Sequence, residues 1–279
     1  MTVRTNGILA SAHNTCLPAW LLDGHKANNF TQKQIQTFLE KRTKTIVPHW
    51  LGSRLPFHGM IAVNEAFWNQ EMKSLGQWPS NWIFGPEQNL FSWAFHNTTD
   101  WFKQTFQWAR EAADGAGFAR DKLPLVYNDY GIETATPKAD AVLRFLSEQL
   151  KDGAPIDGIG FQAHLQCDCE SYPPQPGCNQ SSAISANMQR FIQLGLKVWV
   201  TELDVAMAPG CTQQMQSAVY SAVLEACLEN FPHCDSFMVW GFTDRYTWLD
   251  NATQAPAILD ANYRPKPAFF GLQRVLSER

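Results

Sequence analysis

The stretch V-W-V-T-E-L-D-V, residues 198–205, has the composition of a buried strand but carries two acids near its end. Side chains alternate along a strand, so Val198, Val200, Glu202 and Asp204 point to one side. Two valines followed by two carboxylates on a single face make a poor core. A buried charge is costly unless it is paired or used. Glu202 and Asp204 therefore need partners or a task.

Other apolar segments close in the same way. G-M-I-A-V-N-E ends on Asn64 and Glu65. L-P-L-V-Y-N-D-Y ends on Asn128, Asp129 and Tyr130. G-I-G-F-Q-A-H-L reads as one strand with Gln162 and His164 near its end, and S-F-M-V-W-G-F carries Trp240. Helical patterns separate these strands. Thr31 with Gln34 three residues on is a capping-box pattern ahead of an Ile35, Phe38 and Leu39 stripe. Residues 100–113 place Phe102, Phe106 and Ala109 on one side. Thr136 and Pro137 start a helix with Val142, Phe145, Leu146 and Leu150 inward. Met188, Phe191 and Ile192 mark a helix that stops at Gly195. Residues 218–228 and 267–275 supply two more.

Strands alternating with helices over short connections predict a parallel sheet. In a barrel the C-terminal strand ends form the active face. An open sheet collects its ligands at one switch point instead. Polar residues at the ends of five successive strands favour the barrel. Helix-capping roles account for one or two of these positions, not for all five. The fold class read from the chain is α/β, a TIM (β/α)8-type barrel.

Bulk properties agree. The 279 residues are 45% hydrophobic, enough for one large core, and α/β barrels of this length run as one domain. The formal net charge of −4 comes without a basic stripe, so nucleic acid is not an expected partner. No apolar run approaches the ~18 residues of a membrane span, so no membrane is expected either. Seven Cys occur, at positions 16, 167, 169, 178, 211, 227 and 234. Cys167 and Cys169 are one residue apart with no matching pair after them, which does not fit zinc-ligand spacing. Disulfides in an oxidising compartment fit better, with Cys16 as the expected odd thiol. N-x-S/T sequons at Asn29, Asn97, Asn179 and Asn251 agree with a secreted, extracellular glycoprotein.

Two glutamates at strand ends, Glu65 and Glu202, are what glycosidic hydrolysis requires. One carboxyl protonates the leaving oxygen and the other attacks or steers water. Asn64 supplies an amide suited to a sugar hydroxyl. His164 and Asp204 are placed to pair beside Glu202 and to keep it oriented and ionised. The plainer alternative makes both glutamates helix-start charges.

These segments resemble the glycoside hydrolase family 10 xylanases. The resemblance rests on A-V-N-E-A, Y-N-D-Y, G-I-G-F-Q-A-H-L, T-E-L-D-V, V-W-G-F-T-D-R-Y-T-W-L and the final P-K-P-A, and runs from about Gly7 to the C-terminus. It implies one catalytic domain over residues 1–279. It implies a retaining double displacement on the internal β-1,4-bonds of xylan, with Glu202 as nucleophile and Glu65 as acid/base about 5–5.5 Å apart. His13, Asn64, Asn128, Tyr130, Gln162, His164, Trp240 and Trp248 would bind sugars, with Asp204 in support. No metal or organic cofactor is implied. A disulfide between Cys227 and Cys234 is expected: a short join between helix and strand brings their Cα atoms within about 6 Å, and fungal members carry a pair at a similar place.

The chain also departs from the family pattern. Ile8 and Ala12 stand near positions where the family has His and Trp. The family's first two βα units, including a Glu-Asn-x-Met-Lys motif, have no counterpart. The expectation is an incomplete barrel of about six βα units, closed by its own residues 68–97, by a second copy, or by further chain. Weak xylanase activity follows. The alternatives are a polysaccharide-binding relative with little or no activity, and a hydrolase of another β-glycan.

Overall fold

A computed structural model describes residues 3–5, 10–11, 17–53, 57–67, 90–96, 98–171, 174–249 and 252–278. His13, Cys16, Ile8, Ala12, the sequons at Asn97 and Asn251, and most of the segment 68–97 lie outside them. The backbone divides into two compact units, Met1–Asp129 with Arg144–Gly158, and Tyr130–Leu143 with Ile159–Arg279.

In the first unit, β3 (Phe57–Asn64) is the central strand. Two short strands, β1 (Val3–Thr5) and β2 (Ala10–Ser11), run parallel along one edge of it, with Ser11 beside Asn64. β4 (Leu125–Asp129) runs parallel along the other edge and brings Asn128 beside Asn64. β3 is buried from Gly59 to Asn64 and β4 throughout, so neither alternates in polarity. That pattern belongs to parallel strands covered on both faces.

Among the described residues, α1 (Ala19–Lys26), α2 (Gln32–Leu51), α3 (Leu90–Ala94) and α4 (Asp100–Gly115) lie wholly in this unit. The capping box at α2 forms as its sequence indicates. The Thr31 hydroxyl accepts the Gln34 N–H, and the Gln34 side chain accepts the Thr31 N–H. On α4, Phe102 is fully buried, with ring centroids 5.4 Å from Tyr127 and 4.9 Å from Phe145. This aromatic cluster fastens α4 to β4, the strand that carries Asn128.

In the second unit, β7 (Lys197–Ala206) is the hub. It is hydrogen-bonded to β5 (Gly158–Phe161) and runs parallel to both β6 (His164–Gln166) and β8 (Cys234–Val239). The register sets His164 beside Asp204. Here the structure corrects the sequence reading: G-I-G-F-Q-A-H-L is two strands, not one. The break falls at Gln162 and Ala163, and Ala163 has a φ of +61°. A left-handed residue cannot continue a pleated strand, so the chain turns there and starts again at His164.

Helix α5 (Pro137–Lys151) follows β4, and α6 (Ser181–Ile192), α7 (Gln213–Glu229) and α8 (Pro267–Ser277) follow β6, β7 and β8. Thr136 caps α5 by accepting the Ala139 N–H, and Gly195 takes a left-handed φ of +84° three residues after α6. Counted along the described residues, strands and helices make six βα units, with β1 and β2 sharing one and β5 and β6 another.

Three disulfides join Cys227 to Cys234, Cys167 to Cys211 and Cys169 to Cys178. The first closes the turn from α7 into β8 across a Cα separation of 5.2 Å. The other two brace the segments that follow β6 and β7, next to the polar strand ends.

Candidate active site

Glu65 stands one residue past β3 with a φ of +52°. A glutamate in this region carries backbone strain that its surroundings must hold. They hold it with two hydrogen bonds. The Glu65 N–H donates to the Asn128 carbonyl at 2.8 Å, and the Ala66 N–H donates to the Tyr127 hydroxyl at 3.1 Å. The Tyr127 hydroxyl in turn donates to the Asp129 carboxylate. Burial, then the Asp129 charge, keep the Tyr127 phenol well above its ordinary pKa, so it stays a donor.

The Glu65 carboxylate is fixed by its neighbour. The Asn64 amide donates to Glu65 Oε1 at 2.8 Å, and Asn64 Oδ1 accepts from Asn128 Nδ2, also at 2.8 Å. Asn128 is fully buried and Asn64 nearly so. The two asparagines thus form a relay that ends on Glu65.

The second unit gathers Glu202, Asp204, His164, Trp240 and Trp248. Glu202 and Asp204 lie on one side of β7, as alternation requires, and both face His164. The ring Nδ1 is 2.9 Å from Asp204 Oδ1, and Nε2 is 3.4 Å from Glu202 Oε2. Asp204 Oδ2 accepts the Trp248 indole N–H at 2.6 Å. The His164 ring lies 5.0 Å from the Trp248 ring and 6.3 Å from that of Trp240. Both tryptophans remain exposed, at 57% and 38%, so each keeps a face for a ligand.

Burial opposes a charge on His164, but the bonds to Asp204 and Glu202 outweigh it and raise its pKa to about 10. The imidazolium therefore donates from both nitrogens. His164 is charged in the folded chain up to pH 10, whereas a free His loses its proton near pH 6.5. The stability that it contributes is whole below 6.5 and drains away as pH rises through 10. Burial also lifts Glu133 from 4.5 to about 7, which removes stability between those values. Both slopes run downward, so the melting temperature should fall from pH 5 to pH 9. The His164 part is a few kcal/mol, on the order of 5–10 °C. Calorimetry of wild type and His164→Ala checks it: the variant should lose the slope above pH 6.5, and an equally steep slope there would refute the assignment.

The model of glycosyl hydrolase family 10 matches residues 3–275. The chain belongs to that family. It is 30% identical over 277 residues to endo-1,4-beta-xylanase B of Thermotoga neapolitana, covering 96% of this chain and 68% of that enzyme. It is 30% identical to endo-1,4-beta-xylanase C of Phanerodontia chrysosporium, covering 96% of this chain and 60% of that enzyme. The chain therefore spans about two thirds of the length of these relatives. Xylanase 10B of Thermotoga maritima superposes with a TM-score of 0.74 at 26% identity, over 97% of this chain and 73% of its own. A Cellvibrio japonicus xylanase 10C mutant in complex with xylopentaose superposes at 0.79 and 27% identity, over 99% of this chain and 54% of its own.

The family assignment makes the placement of each expected site residue informative. Asn64, Glu65 and Asn128 are joined by hydrogen bonds in the first unit. His164, Glu202, Asp204 and Trp248 are joined in the second, with Trp240 beside the His164 ring. Tyr130 is half-buried, with the Lys138 ammonium 3.8 Å above its ring, and Gln162 is buried at the strand break. The sequence reading missed Glu133, which is 1% exposed and accepts the Ala163 N–H at 2.9 Å. In Y-G-I-E-T-A-T-P this acid looks like a helix-start charge ahead of Pro137. Its neighbours Ile132 and Thr134 are buried with it, which the polar composition of the stretch does not signal.

Proposed function

We propose that the chain is a secreted retaining endo-1,4-β-xylanase, with Glu202 as nucleophile and Glu65 as acid/base. In the first step Glu202 attacks the anomeric carbon while Glu65 gives its proton to the leaving oxygen. In the second, Glu65 takes a proton from water, which attacks the same carbon and frees Glu202. The single observation that carries this reading is the grip of a doubly bonded His164 imidazolium on Glu202. The protonated ring gives a buried carboxylate both a donor and a compensating charge. The Asn128–Asn64–Glu65 relay supports the acid/base role, because it orients one carboxylate oxygen and holds a strained backbone.

Trp240 and Trp248 offer exposed rings for sugar stacking, and His13, Asn128, Tyr130 and Gln162 join the sugar-binding set. Two carboxylates carry both proton and glycosyl transfer, so this reading calls for no cofactor. Secretion is supported by the three disulfides, and glycosylation by the exposed asparagines at Asn29 and Asn179.

Release of reducing sugar from xylan tests the activity. Hydrolysis of aryl xylosides, with aryl glucosides and cellobiosides as comparison, tests the sugar. Turnover of xylan and of the xylosides is the expected result. No product from any substrate would favour a binding role, and preference for glucosides would move the assignment to another β-glycan.

A further inference from the structure

Glu133 is a buried acid that the proposed mechanism does not use. Its Oε1 accepts the Ala163 N–H at 2.9 Å. Its Oε2 is fully buried and has no hydrogen-bond partner among the described residues. Burial raises its pKa to about 7, against the N–H of Ala163 and the charges of Lys138 and His164, which pull it down. A carboxyl in this position is a poor choice for filling space, because an apolar side chain would do that without the desolvation.

The loop that carries it is pinned on both sides. The Ile132 carbonyl accepts from Asn187 Nδ2 at 2.7 Å, and the Thr134 N–H donates to Gln175 Oε1 at 2.9 Å. The partner that it holds is the strained one. Ala163 has a φ of +61°, a conformation that alanine avoids. The Ala163 carbonyl accepts the Asp204 N–H at 3.3 Å. The next residue is His164, which reaches Asp204 and Glu202. One strained alanine thus separates the acid from the imidazole.

We propose that Glu133 is a positioning residue: by holding the Ala163 N–H it fixes the left-handed turn that aims His164 at Glu202 and Asp204. The catalytic consequence rests on Glu202 being the nucleophile; the geometric claim does not.

Four variants test it. Glu133→Ala removes the acceptor. Glu133→Asp keeps the charge but withdraws the acceptor by one methylene, and serves if the alanine variant does not fold. Glu133→Gln keeps an acceptor oxygen without charge. Glu133→Ala with Ala163→Gly lets glycine hold the turn without the clamp. On an aryl xyloside, Glu133→Ala and Glu133→Asp should lower kcat by about ten- to a hundredfold with KM little changed. Glu133→Gln should stay within about fivefold of wild type, and the double variant should regain about tenfold over Glu133→Ala. Nitrogen NMR of the His164 ring gives a readout without turnover. In Glu133→Ala and Glu133→Asp it should lose its proton at least about one pH unit lower, as the ring leaves its carboxylates. An unmoved His164 titration in Glu133→Ala or Glu133→Asp, a glutamine variant as slow as the alanine one, or no rescue by glycine would overturn the proposal. Failure of the Glu202 assignment would show separately, as activity in Glu202→Ala, with the His164 titration still deciding the role of Glu133.

Discussion

Glu202→Ala is expected to lower turnover of xylan and of aryl xylosides by at least about a thousandfold while the chain stays folded. The covalent route needs an oxygen that attacks the anomeric carbon, and no neighbouring group replaces it. His164 is a cation with both nitrogens engaged, and Asp204 is committed to His164 and Trp248. Removal of a nucleophile from an assembled site typically costs several orders of magnitude. A chemical signature distinguishes this loss from damage to the fold. The methyl group leaves a gap where the carboxylate stood, and an added small anion such as azide can fill it. Attack by azide on a β-xyloside with a good leaving group inverts the carbon and gives an α-xylosyl azide. Residual activity within about tenfold of wild type, or a β-configured azide from this variant, would sink the assignment of Glu202.

The need of Glu202 and Asp204 for a partner, met by His164, was open to sequence reasoning because their strand states its own problem. Two acids following two valines on one face have no use in a core. The same logic found Asn64 and Glu65 at the end of a wholly apolar run, and Thr31 with Gln34 spelled out its helix start. Local chemistry of this kind survives in a one-dimensional reading. What did not survive were dependencies between distant residues. The break at Ala163 has no local mark, since alanine carries no preference for a left-handed turn. It exists because Glu133, thirty residues earlier, takes its N–H, and because His164 must reach two carboxylates on β7. Pairing among Cys167, Cys169, Cys178 and Cys211 was equally closed to inspection, because four cysteines allow three connectivities. Cys227 and Cys234 were the exception, seven positions apart in sequence with a helix-to-strand join to close.

Glu65→Ala is expected to separate substrates by their leaving groups. Xylan leaves as a sugar alkoxide, which departs only if it is protonated as the bond breaks. A positioned general acid is worth roughly a hundred- to ten-thousandfold in such a step, and hydrolysis of xylan should fall by that factor. A dinitrophenyl xyloside leaves as a stable phenolate without a proton, so its bond-breaking step should change by less than about tenfold. The second step suffers on both substrates, because Glu65 must also take a proton from the incoming water. The dinitrophenyl substrate should then show a rapid burst of phenolate followed by slow turnover, as the glycosyl-enzyme accumulates on Glu202. Azide needs no base to attack, so it should restore turnover and, after two inversions, give a β-xylosyl azide. The opposite configurations expected from the two alanine variants assign the two roles independently of any rate. Equal loss on xylan and on the dinitrophenyl substrate in the bond-breaking step, with no burst, would show that Glu65 is not the acid. The strained φ of +52° and the Asn128–Asn64 relay would then have to serve some purpose other than proton transfer.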